Sequence, residues 1–187
     1  LFPKSKITFI TFDMNQELMK YMEGLFDEVI FVKTSSVASF ISSSFKGVSK
    51  LRKKKLDLYF DLEFFSRYSA ILCFFSRPKG SVGYESLILS SRTSMYSHPA
   101  KFIPMIHIKE NFVNQIRTLG LKIPERDGYP EIHLPKDLVE KVSAKIKEFK
   151  LSKNEFIIFH GNASEAGTYR IWQVDKWVEL TKSMLQK

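Results

Sequence analysis

The stretch that decides the fold is EFIIFHGNASEAGTYRIWQVDKWVEL, residues 155–180. Residues 156–159 are a short run of aromatic and β-branched side chains, which is the pattern of a strand buried on both faces of a parallel sheet. Small and polar residues follow, and apolar residues return from Val174 at helical spacing. The stretch therefore predicts a central strand, a loop and a helix. At such a loop the first N–H groups of the helix favour an anion such as a diphosphate.

Composition sets broad bounds on the protein. The chain has 187 residues, enough for one large domain or for one domain and part of another. Its single cysteine, Cys73, excludes a disulfide within the chain and indicates a reducing, intracellular setting. No apolar run reaches the length of a membrane span, and a signal peptide is not expected. We therefore expect a cytoplasmic location, with peripheral contact to the inner membrane allowed.

The formal net charge of +9 leaves two interpretations open. A basic protein attracts nucleic acid, an anionic membrane face or a phosphorylated glycolipid. Much of the charge is local, however, and a basic run at the end of a helix is favourable to the helix dipole without binding anything. The residues concerned are Lys50, Arg52, Lys53, Lys54 and Lys55.

Strand and helix patterns alternate through the first 150 residues. Strands are predicted at residues 6–12, 27–33, 57–65 and 80–84, and helices at residues 16–25, 35–56 (one or two), 66–75, 107–120 and 138–149. Ser66 and Asp137 are the expected N-caps of two helices, and Gly120 is an expected helix end. The first strand–helix–strand spacing is that of a parallel βαβ unit. Residues 86–105 show no period, which is typical of a functional or mobile loop.

The loop of the opening stretch has a distinctive spacing. Asn162-Ala163-Ser164 is followed after five residues by Arg170-Ile171-Trp172. Glycine, asparagine and serine occur in any such connection for turn geometry, so composition alone is not specific. The spacing resembles the motif that opens the donor-binding domain of glycosyltransferase family 9, the heptosyltransferases of lipopolysaccharide core assembly and their relatives. The family's usual proline after the tryptophan is Gln173 here, a departure that concerns helix initiation.

Further segments resemble the same family in the same order. DLYFDLEFFSRYSA, residues 57–70, resembles its D-x-x-x-D segment ending in R/K-S-A. SVGY, residues 81–84, resembles its R-x-G-F/Y strand. Residues 92–112 follow the family's R-x-x-x-Y-x-H-P and then H-x-x-x-N-F order. The resemblance extends over nearly the whole chain.

The resemblance implies an α/β fold of GT-B type, with Rossmann-like parallel sheets and flanking helices in two halves. Residues 1–150 would be the acceptor-side domain lacking its first strand, and residues 151–187 the start of the sugar-nucleotide domain. Family members carry a likely catalytic Asp on a glycine-rich loop that has no counterpart here. The expected base would therefore lie upstream of Leu1, no catalytic residue is assigned, and the chain looks like an internal fragment, truncated at both ends and inactive alone.

The implied activity is hexosyl or heptosyl transfer from a nucleotide-diphosphate donor to a cell-envelope glycolipid or saccharide. Arg170 is expected to bind two phosphate oxygens at once, although a surface salt bridge with Glu165 or Asp175 is the alternative. His107 could instead cap or pack at a helix start. The predicted donor-binding residues are Asn162, Ser164, Arg170 and His160. The predicted acceptor-binding residues are Arg67, Arg92 and His107.

Neither a metal nor a cofactor is expected apart from the sugar nucleotide as substrate, because the histidines and Cys73 show no metal-ligand spacing. The chain has no P-loop and no GxGxxG motif. Under the transferase hypothesis no nucleic acid partner is expected. The rival hypothesis is a non-enzymatic basic α/β module that binds nucleic acid or glycan. The sequence does not specify the sugar, the nucleotide or the acceptor.

Overall fold

The computed structural model describes residues 3–22, 24–85, 90–123, 134–152, 156–161 and 171–185. The chain divides into two compact units, Leu1–Leu134 and Pro135–Lys187. The helix Lys136–Glu148 belongs to the second compact unit, whereas the domain boundary expected from the sequence lies after residue 150. The assignment of acceptor and donor domains stays a prediction.

The first sheet of the N-terminal unit has two parallel strands, β1 (Thr8–Phe12) and β2 (Glu28–Val32). A 3₁₀ turn and the short helix α1 (Gln16–Lys20) connect them, so the helix predicted at residues 16–25 is shorter than expected. Helix α2 (Val37–Lys53) follows as one continuous helix. It begins with a reciprocal cap, in which the Ser36 hydroxyl accepts the Ser39 N–H at 3.1 Å and the Ser39 hydroxyl accepts the Ser36 N–H at 3.0 Å.

The second sheet has three parallel strands in chain order, β3 (Leu58–Phe60), β4 (Gly80–Tyr84) and β5 (His98–Ala100). Helix α3 (Arg67–Ser76) connects β3 to β4, and the short helix α4 (Ser90–Thr93) lies between β4 and β5. The structure confirms β4 in its predicted bounds and Ser66 as the N-cap of α3. Strand β3 is shorter than the predicted residues 57–65, and β5 and α4 occupy a stretch predicted to be a loop.

The core of the N-terminal unit lies between the sheets and helices α2 and α3. One buried cluster contains Ile30, Leu51, Tyr59, Ala70, Cys73 and Tyr96, and a second contains Val82, Tyr84 and Ala100. Gly83 is the position at which β4 admits the Tyr96 ring, because a Cβ there would lie 2.3 Å from Cζ of Tyr96. Only glycine allows this close approach of strand and ring.

Three longer helices complete the described structure: α5 (Ile108–Thr118), α6 (Lys136–Glu148) and α7 (Val174–Leu185). The predicted stop at Gly120 agrees with its left-handed backbone, at φ +74°. The predicted N-cap at Asp137 is wrong, because Pro135 precedes the first turn of α6 without a side-chain cap. Asp137 lies within that turn instead, where its carboxylate favours the dipole and accepts from Lys141 at 3.3 Å. No helix in the described ranges is long and apolar enough to cross a membrane.

The prediction of a central strand at residues 156–159 is wrong. These residues adopt no regular secondary structure, and Ile158 is 80% exposed. A strand needs backbone partners at its edges, and none of the described segments pairs with this one. Hydrophobicity alone therefore did not produce a strand here.

Candidate functional site

The residues that follow β3, β4 and β5 share one edge of the second sheet, because the three strands are parallel. This carboxyl edge is where open α/β sheets bind ligands. Asp61 follows β3 directly and is buried. Its N–H donates to the carbonyl of Val82 at 2.8 Å, which continues the pairing of β3 with β4. The strand pairing thus brings a carboxylate into the interior of the edge.

Three groups fix the Asp61 carboxylate. The Tyr96 hydroxyl donates to Oδ2 at 2.5 Å, the N–H of Glu63 donates to Oδ1 at 3.0 Å, and Nη2 of Arg92 lies 3.7 Å from Oδ2. Burial, followed by the hydrogen bond to Asp61, raises the pKa of Tyr96, so the phenol remains a proton donor. A buried carboxylate that is hydrogen-bonded in this way is suited to hold structure.

Arg92 holds the segment that follows β3. Its two terminal nitrogens donate to the carbonyls of Glu63 and Phe64, and its guanidinium lies 5.8 Å from the centre of the Tyr96 ring. The side chain is 0% exposed. In this arrangement Arg92 has a structural role, so its burial gives no support to direct contact with an acceptor, which stays a prediction.

Gln115 ties helix α5 to the same edge. It is fully buried, and its Nε2 donates to the carbonyl of Asp61 at 2.7 Å. Sequence reasoning did not select Asp61, Tyr96 or Gln115 as site residues. Asp61 and Tyr96 do occur in the segments that resemble the family, but their contact spans 35 residues of chain. Nothing local in the sequence indicates that these side chains meet.

His107 caps α5 at the mouth of an apolar groove. Its Nδ1 accepts the N–H of Lys109 at 3.1 Å, which confirms the capping alternative. A neutral ring that accepts at Nδ1 carries its proton on Nε2, which leaves a donor on an exposed side chain. The groove has a volume of about 430 Å³ and is lined by His107 together with Phe60, Leu62, Ile108 and Phe112, among others.

Arg67 is exposed at the first turn of α3, on the loop side of β3. The helix is capped by Ser66, whose hydroxyl accepts the N–H of Tyr68 at 3.2 Å. A cation at the first turn opposes the helix dipole, so an anion bound there would remove an unfavourable interaction. The position of Arg67 is therefore suited to an anionic group, and its acceptor-binding role stays a prediction.

The predicted donor loop is described only at its two ends. Asn162, Ser164 and Arg170 lie outside the described residues. His160 is exposed.

Both ends of that loop meet Trp177, in the first turns of α7. A Cβ built on Gly161 would lie 3.5 Å from Nε1 of Trp177, and the rings of Trp172 and Phe159 lie 5.2 and 5.5 Å from the Trp177 ring. Gly161 and Trp172, the described residues on either side of residues 162–170, thus both lie beside the beginning of α7. Sequence reasoning had assigned Trp177 only to the apolar face of the helix.

Other reactive groups give no sign of a second chemistry. Burial raises the pKa of the Cys73 thiol to about 12, which keeps it protonated and unreactive at neutral pH. Within the part of the chain that the structure describes, no group of three or more His, Cys, Asp or Glu side chains could hold a metal ion.

Comparison with known proteins bears on the fold. No family model matches the chain, and no curated protein matches it. The solved structure of the glycosyl transferase family 9 protein from Veillonella parvula DSM 2008 matches 82% of this chain and 43% of its own, at 17% identity and a TM-score of 0.65. The structure of E. coli ADP-heptose LPS heptosyltransferase II matches 98% of this chain and 53% of its own, at 18% identity and a TM-score of 0.58.

The chain therefore spans about half the length of these two structures. At identities of 17% and 18% the likeness establishes the fold and not the reaction. The predicted α/β fold and the resemblance to glycosyltransferase family 9 are confirmed at the level of structure.

Proposed function

We propose that the protein is a glycosyltransferase of the heptosyltransferase type. It transfers a sugar from a nucleotide-diphosphate donor to a hydroxyl of a cell-envelope glycolipid or saccharide, at the cytoplasmic side and in peripheral contact with the inner membrane. The observation that carries this proposal is the shared fold with a family 9 glycosyl transferase and with a heptosyltransferase. Family-like sequence segments also lie at the carboxyl edge of the second sheet, where such folds bind ligands.

The acceptor is assigned to the N-terminal unit. Arg67 and the first N–H groups of α3 suit a phosphate or carboxylate of the acceptor, because both contribute positive charge at one place. His107 offers its Nε2 hydrogen to a sugar oxygen at the mouth of the groove. Arg92 and Asp61 act behind these residues by holding the connection between β3 and α3.

The donor is assigned to residues 160–170, which precede α7. Arg170 would bind diphosphate oxygens, Asn162 and Ser164 would add hydrogen bonds, and His160 would approach the nucleotide. Support comes from the base of the loop, where Gly161 and Trp172 both lie against Trp177 at the start of α7. The N–H groups of that helix add a positive partial charge where the diphosphate would sit.

The chemistry follows from charge. A carboxylate removes the proton from the acceptor hydroxyl. The hydroxyl oxygen bonds to the anomeric carbon of the donor sugar, and the bond from that carbon to the diphosphate breaks. Negative charge then grows on the departing diphosphate, where Arg170 and the N–H groups of α7 stabilise it. This route requires neither a cofactor nor an obligatory metal. No residue of this chain is assigned as the base.

The test is a titration of the protein at its natural length with ADP, GDP, UDP and CDP by calorimetry. We expect one nucleoside diphosphate to bind, and Arg170→Ala to weaken it by about 1.5–3 kcal/mol, the value of a charged hydrogen bond. Arg117→Ala is the control, since Arg117 is exposed and bonds to Glu110 and Asn114. Failure of all four nucleotides to bind, or equal losses in the two variants, would contradict the proposal.

The rival hypothesis, a nucleic-acid-binding module, is tested by a parallel titration with RNA. It predicts RNA binding that weakens steeply with salt, because phosphate contacts release counterions. It also expects that binding to survive Arg170→Ala. An outcome of that kind, without nucleotide binding, would replace the transferase proposal.

A further inference from the structure

A basic pocket lies at the opposite edge of the second sheet from Asp61. It is lined by Arg52, Lys55, Leu56, Ser76, Arg77 and Lys79 and has a volume of about 330 Å³. Lys55 and Leu56 precede β3, and Lys79 directly precedes β4, so the basic pocket sits at the amino ends of these parallel strands. None of its residues belongs to the proposed acceptor or donor sites.

The positive charge of the basic pocket is poorly compensated. Lys79 pairs with Asp57 at 2.7 Å, but both side chains are exposed and such a pair is weak. Among the described residues, no carboxylate forms an ion pair with Arg52, Lys55 or Arg77. Three cations therefore line one cavity without an ion-pair partner among the described residues.

The basic cluster noted in the sequence is divided in two by the fold. Lys50 and Lys54 both pair with Glu28 at the start of β2. Arg52 and Lys55 instead line the basic pocket. Pairing with Glu28 accounts for Lys50 and Lys54 and does not account for the position of Arg52 and Lys55 beside Arg77.

Two residues of the basic pocket have a backbone conformation that is unusual for residues other than glycine. Lys55 and Arg77 follow α2 and α3 in the left-handed conformation, with φ of +53° and +51°. Glycine is favoured at such positions because a Cβ is strained there. Both residues are long cations that line the basic pocket. Lys150 has the same backbone conformation after α6 and does not line it, so the convergence of the cations and not the backbone distinguishes the pocket.

Helix α3, whose last residue Ser76 lines the basic pocket, carries an exposed apolar stripe. Ile71, Phe74 and Phe75 have the spacing of one helical face and are 41%, 57% and 54% exposed. Ala70 and Cys73, on the other side of the helix, are buried in the core. Phe75 precedes Arg77 by two residues, so an exposed ring and a cation of the basic pocket are neighbours along the chain. Apolar rings beside cations are typical of a surface that enters the interface of a lipid bilayer.

We propose that the basic pocket and the α3 stripe together form a docking surface for an anionic phospholipid bilayer. The cations would bind lipid phosphates, and Ile71, Phe74 and Phe75 would enter the headgroup region. Nucleic acid fits less well, because Phe74 and Phe75 pack edge to face on each other, at 5.4 Å and 84°, which leaves less ring face open for base stacking. This inference rests on the proposed function, because it assigns the membrane contact proposed there to named residues, none of which belongs to the proposed acceptor or donor sites.

The test is co-sedimentation of the chain with vesicles of phosphatidylcholine, alone or with roughly 30% phosphatidylglycerol. We expect binding only to the anionic vesicles. Arg52→Gln, Lys55→Gln and Arg77→Gln combined should weaken it about 100-fold, at about fivefold per cation. The control combines Lys4→Gln, Lys46→Gln and Lys147→Gln, which removes the same charge from exposed positions elsewhere and should change binding by less than about threefold.

A second variant separates the apolar contribution. Phe74→Ser with Phe75→Ser should lower the binding that remains at about 0.5 M NaCl, where charge is screened and ring insertion is not. Circular dichroism confirms that each variant is folded. Equal binding to both kinds of vesicle, or an equal loss in the lysine control, would overturn the proposal. Tighter binding to a short single-stranded RNA than to anionic vesicles, lost in the basic-pocket variant, would overturn it in favour of nucleic acid.

Discussion

Strand β4 and residues 156–159 differ in burial in the opposite sense to the hydrophobicity of their sequences. β4 reads GSVGY, with two glycines and a serine, yet all five of its residues are buried. Residues 156–159 read FIIF, a far more apolar run, yet they form no strand and remain largely exposed. The more hydrophobic segment is the less buried one.

The difference lies in the neighbours of each segment. β4 pairs with β3 on one edge and with β5 on the other, and rings from Phe64 and Phe102 pack on Tyr84. Among the described residues, residues 156–159 have no paired strand, and of their side chains Phe159 packs on the Trp177 ring. Hydrophobicity therefore predicts a tendency to be buried, and neighbouring strands decide whether a segment is buried as a strand.

The largest expected effect comes from a glycine in β4. Gly83→Val in β4 places side-chain atoms where Cζ of Tyr96 lies, at 2.3 Å from the Cβ position, and should break the bond from Tyr96 to Asp61. We expect urea unfolding to show a loss of about 4 kcal/mol. Gly161→Ala is the control, because its Cβ would meet Trp177 at an ordinary 3.5 Å. A loss below about 1 kcal/mol for Gly83→Val would mean that the sheet relaxes around the ring.

The next largest effect concerns Arg92, which holds the segment that follows β3. Arg92→Ala leaves the buried Asp61 carboxylate without its cation and removes the donors to the carbonyls of Glu63 and Phe64. We expect a loss of about 3 kcal/mol in unfolding free energy. The exposed Arg117→Ala should cost less than about 0.5 kcal/mol. Similar values for the two arginines would show that the buried contacts of Arg92 contribute little.

A direct comparison of the two regions shortens one apolar side chain in each. Val82→Ala in β4 empties space at a side chain that is 0% exposed, and should cost about 2 kcal/mol. Ile158→Ala removes more carbon atoms at a position that is 80% exposed, and should change stability by less than about 0.5 kcal/mol. Paired chemical denaturation curves measure the difference. If Ile158→Ala were the costlier change, residues 156–159 would be buried in solution.

The smallest effect depends on pH. The hydrogen bond from Lys50, followed by that from Lys54, holds the pKa of Glu28 below its usual value. A lowered pKa in the folded state contributes stability above the unfolded pKa of about 4.3, and this is lost as the pH falls through the folded value. Below about pH 4.5 the stability of the native chain should therefore approach that of Glu28→Gln, with a total difference under about 1 kcal/mol. Parallel unfolding curves at pH 7 and pH 3 would show no such convergence if the pairs were absent.

The predictable part of the fold rests on short-range signals. The bounds of β4, the Ser66 cap and the Gly120 stop each depend on residues within a few positions of one another. β5 was missed because His98–Ala100 is only three residues long and contains a proline, so only its pairing with β4 makes it a strand. The candidate site divides in the same way. His107 was recognisable as a helix-start residue, whereas the burial of Arg92 depends on carbonyls 28 and 29 residues away.

By itself, the amino-acid sequence determined the alternation of strands and helices and several helix boundaries, since these depend on side chains that are close along the chain. Only the tertiary structure decided which apolar segment became a buried strand and where the cations point. Burial and charge compensation require partners that are distant in sequence. For that reason Arg92 lies in the interior of the molecule, while Arg52, Lys55 and Arg77 meet at its surface.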